Sequence, residues 1–308
     1  MSKFFKRTQK VSEIPAERRS QPVDGLSVDK LLETINSSVD DQLASLETSP
    51  FESKTTTALE AATQGASVGV VEFPTEAYRM VRLPRDPRRL FFPEDETVPA
   101  PPALEAYRSF RTRVLRLQSR RPFRTVAITS AAKGDGKTLT SSNLALCCAQ
   151  LPRFPVLLID GDLRTHGASR CIGHDEGPGL ADVLNGRVAR EAAVVATDIP
   201  NLHVVCAGDA TTNPPELFSG APWKEFITWC KENFKLVLVD CPPALMLADF
   251  ELISASCDGI LVVARAGATG KQALQGVLAH LDSHKLLGVI LNGSAHSERY
   301  YYYGDKRK

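Results

Sequence analysis

The pattern of apolar and polar positions divides the chain near residue 103. From Met1 to about Pro102, Ser, Thr, Pro, Glu and Arg prevail and apolar residues follow no sustained period, which predicts a largely disordered extension. Ser27 to Leu46 departs from this, because Val28, Leu31, Leu32, Ile35, Val39, Leu43 and Leu46 recur at near-helical spacing. That segment reads as an amphipathic helix, either transient in a linker or serving as a docking element.

Order is expected from near Leu104, where Leu104, Tyr107, Phe110, Val114 and Leu117 mark one face of a helix. Beyond it, strand and helix patterns alternate. Short runs rich in Val, Ile and Leu predict strands over Thr125 to Thr129, Val156 to Ile159, His203 to Cys206, Leu236 to Val239, Gly259 to Val263 and Gly288 to Leu291. These runs lack a clean two-residue alternation, which suits strands of a parallel sheet covered on both faces. Helical periods separate them over Thr138 to Leu151, Pro222 to Phe234 and Gly270 to Ser283. The expectation is an α/β fold, doubly wound around a mostly parallel sheet, over residues 103–297, preceded by the extension 1–102 and followed by a short tail, 298–308.

Composition adds bounds rather than direction. An apolar content of 43% suffices for a sizeable core, and 37 basic residues nearly balance 36 acidic ones, for a net charge of +1. With no global field, neither nucleic acid nor an acidic substrate is indicated. Basic residues cluster locally at Lys3, Lys6, Arg7 and Lys10 and again at Arg82, Arg85, Arg88 and Arg89, where a solvated tail is favoured over contact with an anionic membrane. Seven cysteines, Cys147, Cys148, Cys171, Cys206, Cys230, Cys241 and Cys257, show no CxxC pair and no metal-ligand spacing. Several lie in apolar runs, which predicts buried, reduced thiols of a cytosolic protein. No apolar run approaches the roughly 18 to 20 residues of a membrane span, and Met1 to Lys10 lacks the apolar stretch of a signal peptide, so a protein that is neither membrane-spanning nor secreted is expected.

Candidate chemistry concentrates in Val126-Ala-Ile-Thr-Ser-Ala-Ala-Lys-Gly-Asp-Gly-Lys-Thr138, a strand entering a Gly-containing loop and then a helix. Backbone N–H groups around Lys133, Gly134, Asp135 and Gly136 can converge on phosphate oxygens, with Leu139 opening the helix behind them. Lys137 can reach β and γ phosphates, and the Thr138 hydroxyl can hold Mg²⁺. The strict GxxxxGK[ST] pattern is broken by Ala131 at its first position. Two strand ends supply carboxylates. Val156-Leu-Leu-Ile-Asp-Gly-Asp-Leu-Arg164 presents Asp160 and Asp162, of which one orients or deprotonates an attacking hydroxyl and the other helps hold Mg²⁺. Leu236-Val-Leu-Val-Asp-Cys-Pro-Pro243 places Asp240 where it completes the Mg²⁺ shell, through water. A lone strand-end Asp is usually a cap or turn residue, and three of them downstream of a phosphate loop reverse that reading. Finally, Tyr300, Tyr301, Tyr302 and Tyr303 stand together before Gly304-Asp-Lys-Arg-Lys308, a run without the period of a core element and suited to phosphate acceptors.

Together, Ala131 to Thr138, Leu157 to Arg164 and Val237 to Pro243 resemble the Walker A, A′ and B motifs of the bacterial tyrosine kinases of capsule and exopolysaccharide synthesis, P-loop proteins whose first motif accepts Ala or Gly at its first position. Glu105-Ala-Tyr-Arg108-Ser-Phe-Arg111 is similar to that family's ExxRxxR interface helix, Gly179-Leu-Ala-Asp-Val-Leu-Asn-Gly186 to its helix after A′, and Asn213-Pro-Pro-Glu-Leu217 to its NPxEL segment. The resemblance runs from about Ala103 to Tyr303. It implies an ATP- and Mg²⁺-dependent protein-tyrosine kinase that modifies the tail tyrosines between subunits of a ring-like homo-oligomer held at Glu105, Arg108 and Arg111. Each modification adds about two negative charges, and the accumulated repulsion loosens the ring. It also implies a cytoplasmic protein recruited to the membrane through the cytoplasmic tail of a polysaccharide co-polymerase. Asn292 falls at a strand end where related folds set an amide against adenine. The alternative is an ATPase dimer switch of the Min and Par type, with the same three Asp-containing motifs. Those proteins carry a signature Lys early in the loop, where this chain has Ala132, with Lys133 one position late.

Overall fold

The computed structural model describes residues 79–86, 89–90, 92, 102–209, 213–245 and 248–294; the amphipathic segment 27–46 and the tyrosines 300–303 lie outside these. Eight strands form one sheet: β1 (Arg79–Val81), β2 (Thr125–Ser130), β3 (Val156–Asp160), β4 (Val194–Thr197), β5 (Leu202–Val205), β6 (Leu236–Asp240), β7 (Gly259–Arg265) and β8 (Leu286–Asn292). Their order is β1-β4-β5-β3-β6-β2-β7-β8, and every neighbouring pair is parallel except β4 with β5. The helices are α1 (Pro102–Arg120), α2 (Lys137–Ala149), α3 (Gly167–Cys171), α4 (Leu180–Leu184), α5 (Pro214–Ser219), α6 (Ala221–Asn233), α7 (Ala248–Ser256) and α8 (Lys271–His280).

The unbroken apolar strand runs follow from burial on both faces. Successive side chains of a strand point to opposite sides. Thus Val126, Ile128, Leu158, Leu236 and Leu238 join Val114 of α1, Leu144 of α2 and Ala168 of α3 in one core. Ala127, Leu157, Ile159, Val237 and Val239 join Leu180 of α4, Phe218 of α5, Trp223 of α6, Phe250 of α7 and Val277 of α8 in the other. In that second core the Phe218 and Trp223 rings meet edge to face with centroids 5.2 Å apart. All seven cysteines are buried and unpaired, as their apolar settings predict.

The six expected strands and four principal helices form within a few residues of their predicted limits. Among the elements not anticipated are β4, α7 and β1. β4 is only four residues long and pairs antiparallel with β5, too short a run to separate from a loop by pattern. The nine-residue α7 scatters Asp249, Glu251, Ser254 and Ser256 among its apolar residues, so no period marks it. Order also begins before Leu104. β1 pairs in parallel with β4, Leu83 N–H donates to Asp198 Oδ1 at 3.0 Å, and Leu83 and Leu90 are each only 2% exposed. Within the basic cluster read as a solvated tail, Arg85 instead pairs with Asp198 at 2.9 Å and lies 3.9 Å above the centroid of the Phe92 ring. Asn143 of α2 donates to Arg89 O at 2.7 Å, so this segment straps the helix that follows the phosphate loop.

Candidate active site

The parallel sheet directs the ends of β2, β3 and β6 to one edge, and β6 lies between the other two, with Asp160 in register with Asp240. In open α/β sheets ligands bind in the crevice beyond such carboxyl ends. The loop after β2 turns at Gly134 and Gly136, with φ of +93° and +96°. Gly136 disfavours a side chain twice over, by its positive φ and because a Cβ there would stand 1.9 Å from Asn292 Nδ2 and force that amide to move. Ala131, at the position where the strict motif has glycine, is 5% exposed within the core and meets no such constraint. Lys133 and Gly134 are exposed at the tip. The 3% exposed Asp135 turns its carboxylate back, with Oδ2 accepting from Ala132 N–H at 2.9 Å and Oδ1 accepting from the Thr269 hydroxyl at 2.8 Å. Behind the loop, Leu139 is 37% exposed, and its carbonyl accepts from Asn143 Nδ2 at 2.8 Å.

At the mouth of α2 the predicted chemical groups converge. Lys137 Nζ donates to Asp162 Oδ2 at 3.1 Å and lies 3.9 Å from Asp240 Oδ2. The Thr138 hydroxyl donates to the same Asp240 oxygen at 2.7 Å. Burial works to lower the Lys137 pKa, but Asp240, Asp162 and Asp160 together hold it above the ordinary lysine value. Burial pushes the Asp240 carboxyl up to about 7 against the opposing pull of Lys137. Its Oδ1 is buried with no hydrogen-bond partner. An orphaned carboxylate oxygen beside a threonine hydroxyl suits a hard divalent cation that takes its remaining ligands from phosphate and water.

The two A′ carboxylates differ. Asp160 is wholly buried, and both of its oxygens are engaged: Oδ2 accepts from Ser169 N–H at 2.8 Å and the Ser169 hydroxyl at 2.7 Å, and Oδ1 accepts from Asp162 N–H at 3.2 Å. Burial raises its pKa against the hydrogen bonds from Ser169. Asp162 has the opposite balance: burial works upward, but Lys137 and the donors at Thr165 hold its carboxyl below the usual value.

Other predicted residues are differently placed. Asn292, at the end of β8, donates its amide to Asp135 O at 3.0 Å, so this group contacts the loop. Glu105 and Arg108 pair on the outer side of α1, whereas Arg111 donates to Cys147 O at 2.9 Å in the last turns of α2. Tyr300 to Tyr303 lie outside the described residues. Pattern reading missed Ser169, Arg265 and Thr269. Each reaches the site from a different element, and no local motif marks them.

A β-strand, a phosphate-type loop and a helix, with strand-end carboxylates around the loop lysine, define the P-loop class. A family described as an AAA domain matches residues 123–288. The tyrosine-protein kinase YwqD of Bacillus subtilis (strain 168) is 38% identical over 208 residues, which is 66% of this chain and 86% of that protein. The tyrosine-protein kinase ptk of Acinetobacter johnsonii is 34% identical over 62% of this chain but only 26% of its own, longer length. Among solved structures, the kinase domain of the Escherichia coli tyrosine kinase ETK superposes with a TM-score of 0.61 at 26% identity, over 74% of this chain and 94% of that one. The chain belongs to the AAA-domain family, in its bacterial tyrosine-kinase group.

Proposed function

We propose that this protein is an ATP-dependent tyrosine autokinase that phosphorylates Tyr300, Tyr301, Tyr302 and Tyr303 on a neighbouring copy. The observation that carries the reading is the convergence of Lys137, Thr138, Asp162 and Asp240 at the mouth of α2. Family membership supports tyrosine as the acceptor.

In this assignment the backbone of 133–138 cradles the phosphates, and the Lys137 ammonium neutralises charge on the β and γ groups. Thr138, Asp162 and Asp240 are the residues that would hold Mg²⁺, Asp240 having an Oδ1 without a hydrogen-bond partner. Held there, Mg²⁺ would supply positive charge to offset the negative charge that develops on the phosphates. Asp162 is the carboxylate available to orient or deprotonate the incoming tyrosine hydroxyl. Asp160, saturated by Ser169 and Asp162 N–H, positions the A′ turn. Phosphoryl transfer forms the bond from tyrosine oxygen to γ-phosphorus and breaks the bond to the β-γ bridging oxygen, leaving ADP.

The kinase unit is assigned to 103–297 and the acceptor tail to 298–308, with the docked residues 79–86, 89–90 and 92 preceding the unit. Glu105, Arg108 and Arg111 form the contact between copies in this reading, with Arg111 also serving the last turns of α2. Regulation of capsule or exopolysaccharide polymerisation and export is the process implied, with a cytoplasmic site of action at the inner face of the membrane through the tail of a polysaccharide co-polymerase. Among the described residues no helix is long and apolar enough to cross a membrane.

The test is incubation of the purified full chain with Mg-ATP, with and without the partner's cytoplasmic tail, followed by mass spectrometry of the C-terminal peptide. Phosphate on Tyr300 to Tyr303 is expected, and Lys137→Ala should abolish it. Hydrolysis of ATP with all four tyrosines unmodified in both conditions would replace the kinase with an ATPase switch.

A further inference from the structure

Three carbonyls of the loop after β2 are tied from outside it. The Ser130 hydroxyl donates to Ala132 O at 2.8 Å, Arg265 Nη1 to Gly134 O at 3.2 Å, and Asn292 Nδ2 to Asp135 O at 3.0 Å. Arg265 and Asn292 are register partners at the ends of β7 and β8. A trans peptide sets its N–H opposite its C=O. Drawing these carbonyls outward therefore turns the N–H groups of Lys133, Asp135 and Gly136 inward. Among the described residues, the backbone N–H groups of Lys133, Gly134 and Gly136 donate to no protein acceptor, and that of Asp135 makes only the weak contact that closes the turn over Lys133 and Gly134. Successive N–H groups aimed into one concavity form an anion nest.

A second tie keeps the loop from rolling. The Asp135 carboxylate spans Ala132 N–H and the Thr269 hydroxyl, and that hydroxyl also accepts from Arg265 N–H at 2.6 Å. Thr269 thus locks the turn after β7 and the phosphate loop in one unit. We propose that Arg265 and Thr269, outside every recognised motif, are positioning residues that with Asn292 preset the loop's N–H groups for the nucleotide phosphates. In this proposal Asn292 acts through the loop.

The proposal rests on the ATP-binding reading, and its test separates the two. Binding of a fluorescent ATP analogue with Mg²⁺, the melting temperature of the nucleotide-free protein, and KM and kcat for ATP are measured on the full chain and on Thr269→Val, Thr269→Ser and Arg265→Met. Thr269→Val and Arg265→Met should each weaken binding about tenfold, with KM changing more than kcat, as loss of one hydrogen bond that organises a charged site requires. Thr269→Ser, which keeps the hydroxyl, should bind and melt as the parent does, and Arg265→Met, which changes an exposed side chain, should also melt with the parent. The proposal is overturned by unchanged affinity in both variants, by a loss that Thr269→Ser shares, or by a loss that tracks the melting temperature. A parent chain that binds no nucleotide overturns the ATP-binding reading as well.

Discussion

At the scale of residues, the site divides into groups that handle charge and groups that hold them. Asp162 faces Lys137, while Asp160 is enclosed by donors. Asp162→Asn should lower phosphorylation at saturating ATP by at least about a hundredfold, the usual scale for a lost general base. Asp160→Asn should lower the melting temperature as well, since an amide nitrogen cannot accept from Ser169 or from Asp162 N–H; thermal scans and initial rates on both variants decide. Lys137, Thr138 and the three aspartates were legible because each sits in a chain-local motif. Thr269 and Ser169 were not, because a hydroxyl gains its meaning from a partner: Thr269 meets Asp135 across 134 positions of sequence.

Away from the site, Asp258 opens β7 and fastens it to the start of β2. Its Oδ2 accepts from Arg124 N–H, Thr125 N–H and the Thr125 hydroxyl, and Oδ1 receives Lys231 Nζ at 2.7 Å. Burial raises this carboxyl, and those donors outweigh burial and hold it below its ordinary value. The unfolded carboxyl titrates near pH 3.9, so the stabilisation is present above that pH and is lost as pH falls through the lower folded value. Asp258→Asn should cost about 1 to 3 kcal/mol near neutrality. The gap between variant and parent melting temperatures should close in acid; a gap independent of pH would remove the carboxylate's charge from the explanation.

At the scale of elements, the strap before α1 is the main departure from the sequence pattern. β1 extends the sheet at β4, and Leu83 and Leu90 enter the core that also contains α2. Each of Leu83→Ala and Leu90→Ala should cost about 2 to 5 kcal/mol in denaturant unfolding, the range for deleting a buried leucine side chain. Values near zero would show that the strap adds nothing to the sheet. Its composition concealed it. Two buried leucines among arginines and prolines have no period, and a three-residue strand acquires an identity only from the strand it joins. The longer strands β2, β3, β6 and β7 were readable because burial on both faces demands unbroken apolar runs.

At the scale of the whole molecule, function is proposed to pass between copies. Glu105 and Arg108 pair with each other on the outer side of α1, and Arg111 is spent partly on Cys147 O. Arg108→Glu should therefore shift the sedimentation profile toward monomer with little change in melting temperature, while Arg111→Ala should lower both. Deleting Tyr300 to Tyr303 should leave nucleotide binding intact and remove any difference in assembly between ATP-treated and untreated protein. An assembly that still responds to ATP without those tyrosines would place the acceptor elsewhere.

The sequence by itself determined the doubly wound α/β class, the loop ending at Lys137 and Thr138, and the three strand-end aspartates. Strand burial and phosphate binding impose residue types on short contiguous segments, so their signatures survive in one dimension. Only the tertiary structure decided which A′ aspartate faces the lysine, that Arg265, Thr269 and Asn292 hold the loop, and that a strap ahead of α1 completes the sheet. Those features are pairings between distant segments. A hydrogen bond or a buried contact has two ends, and the pattern along the chain shows one end at a time.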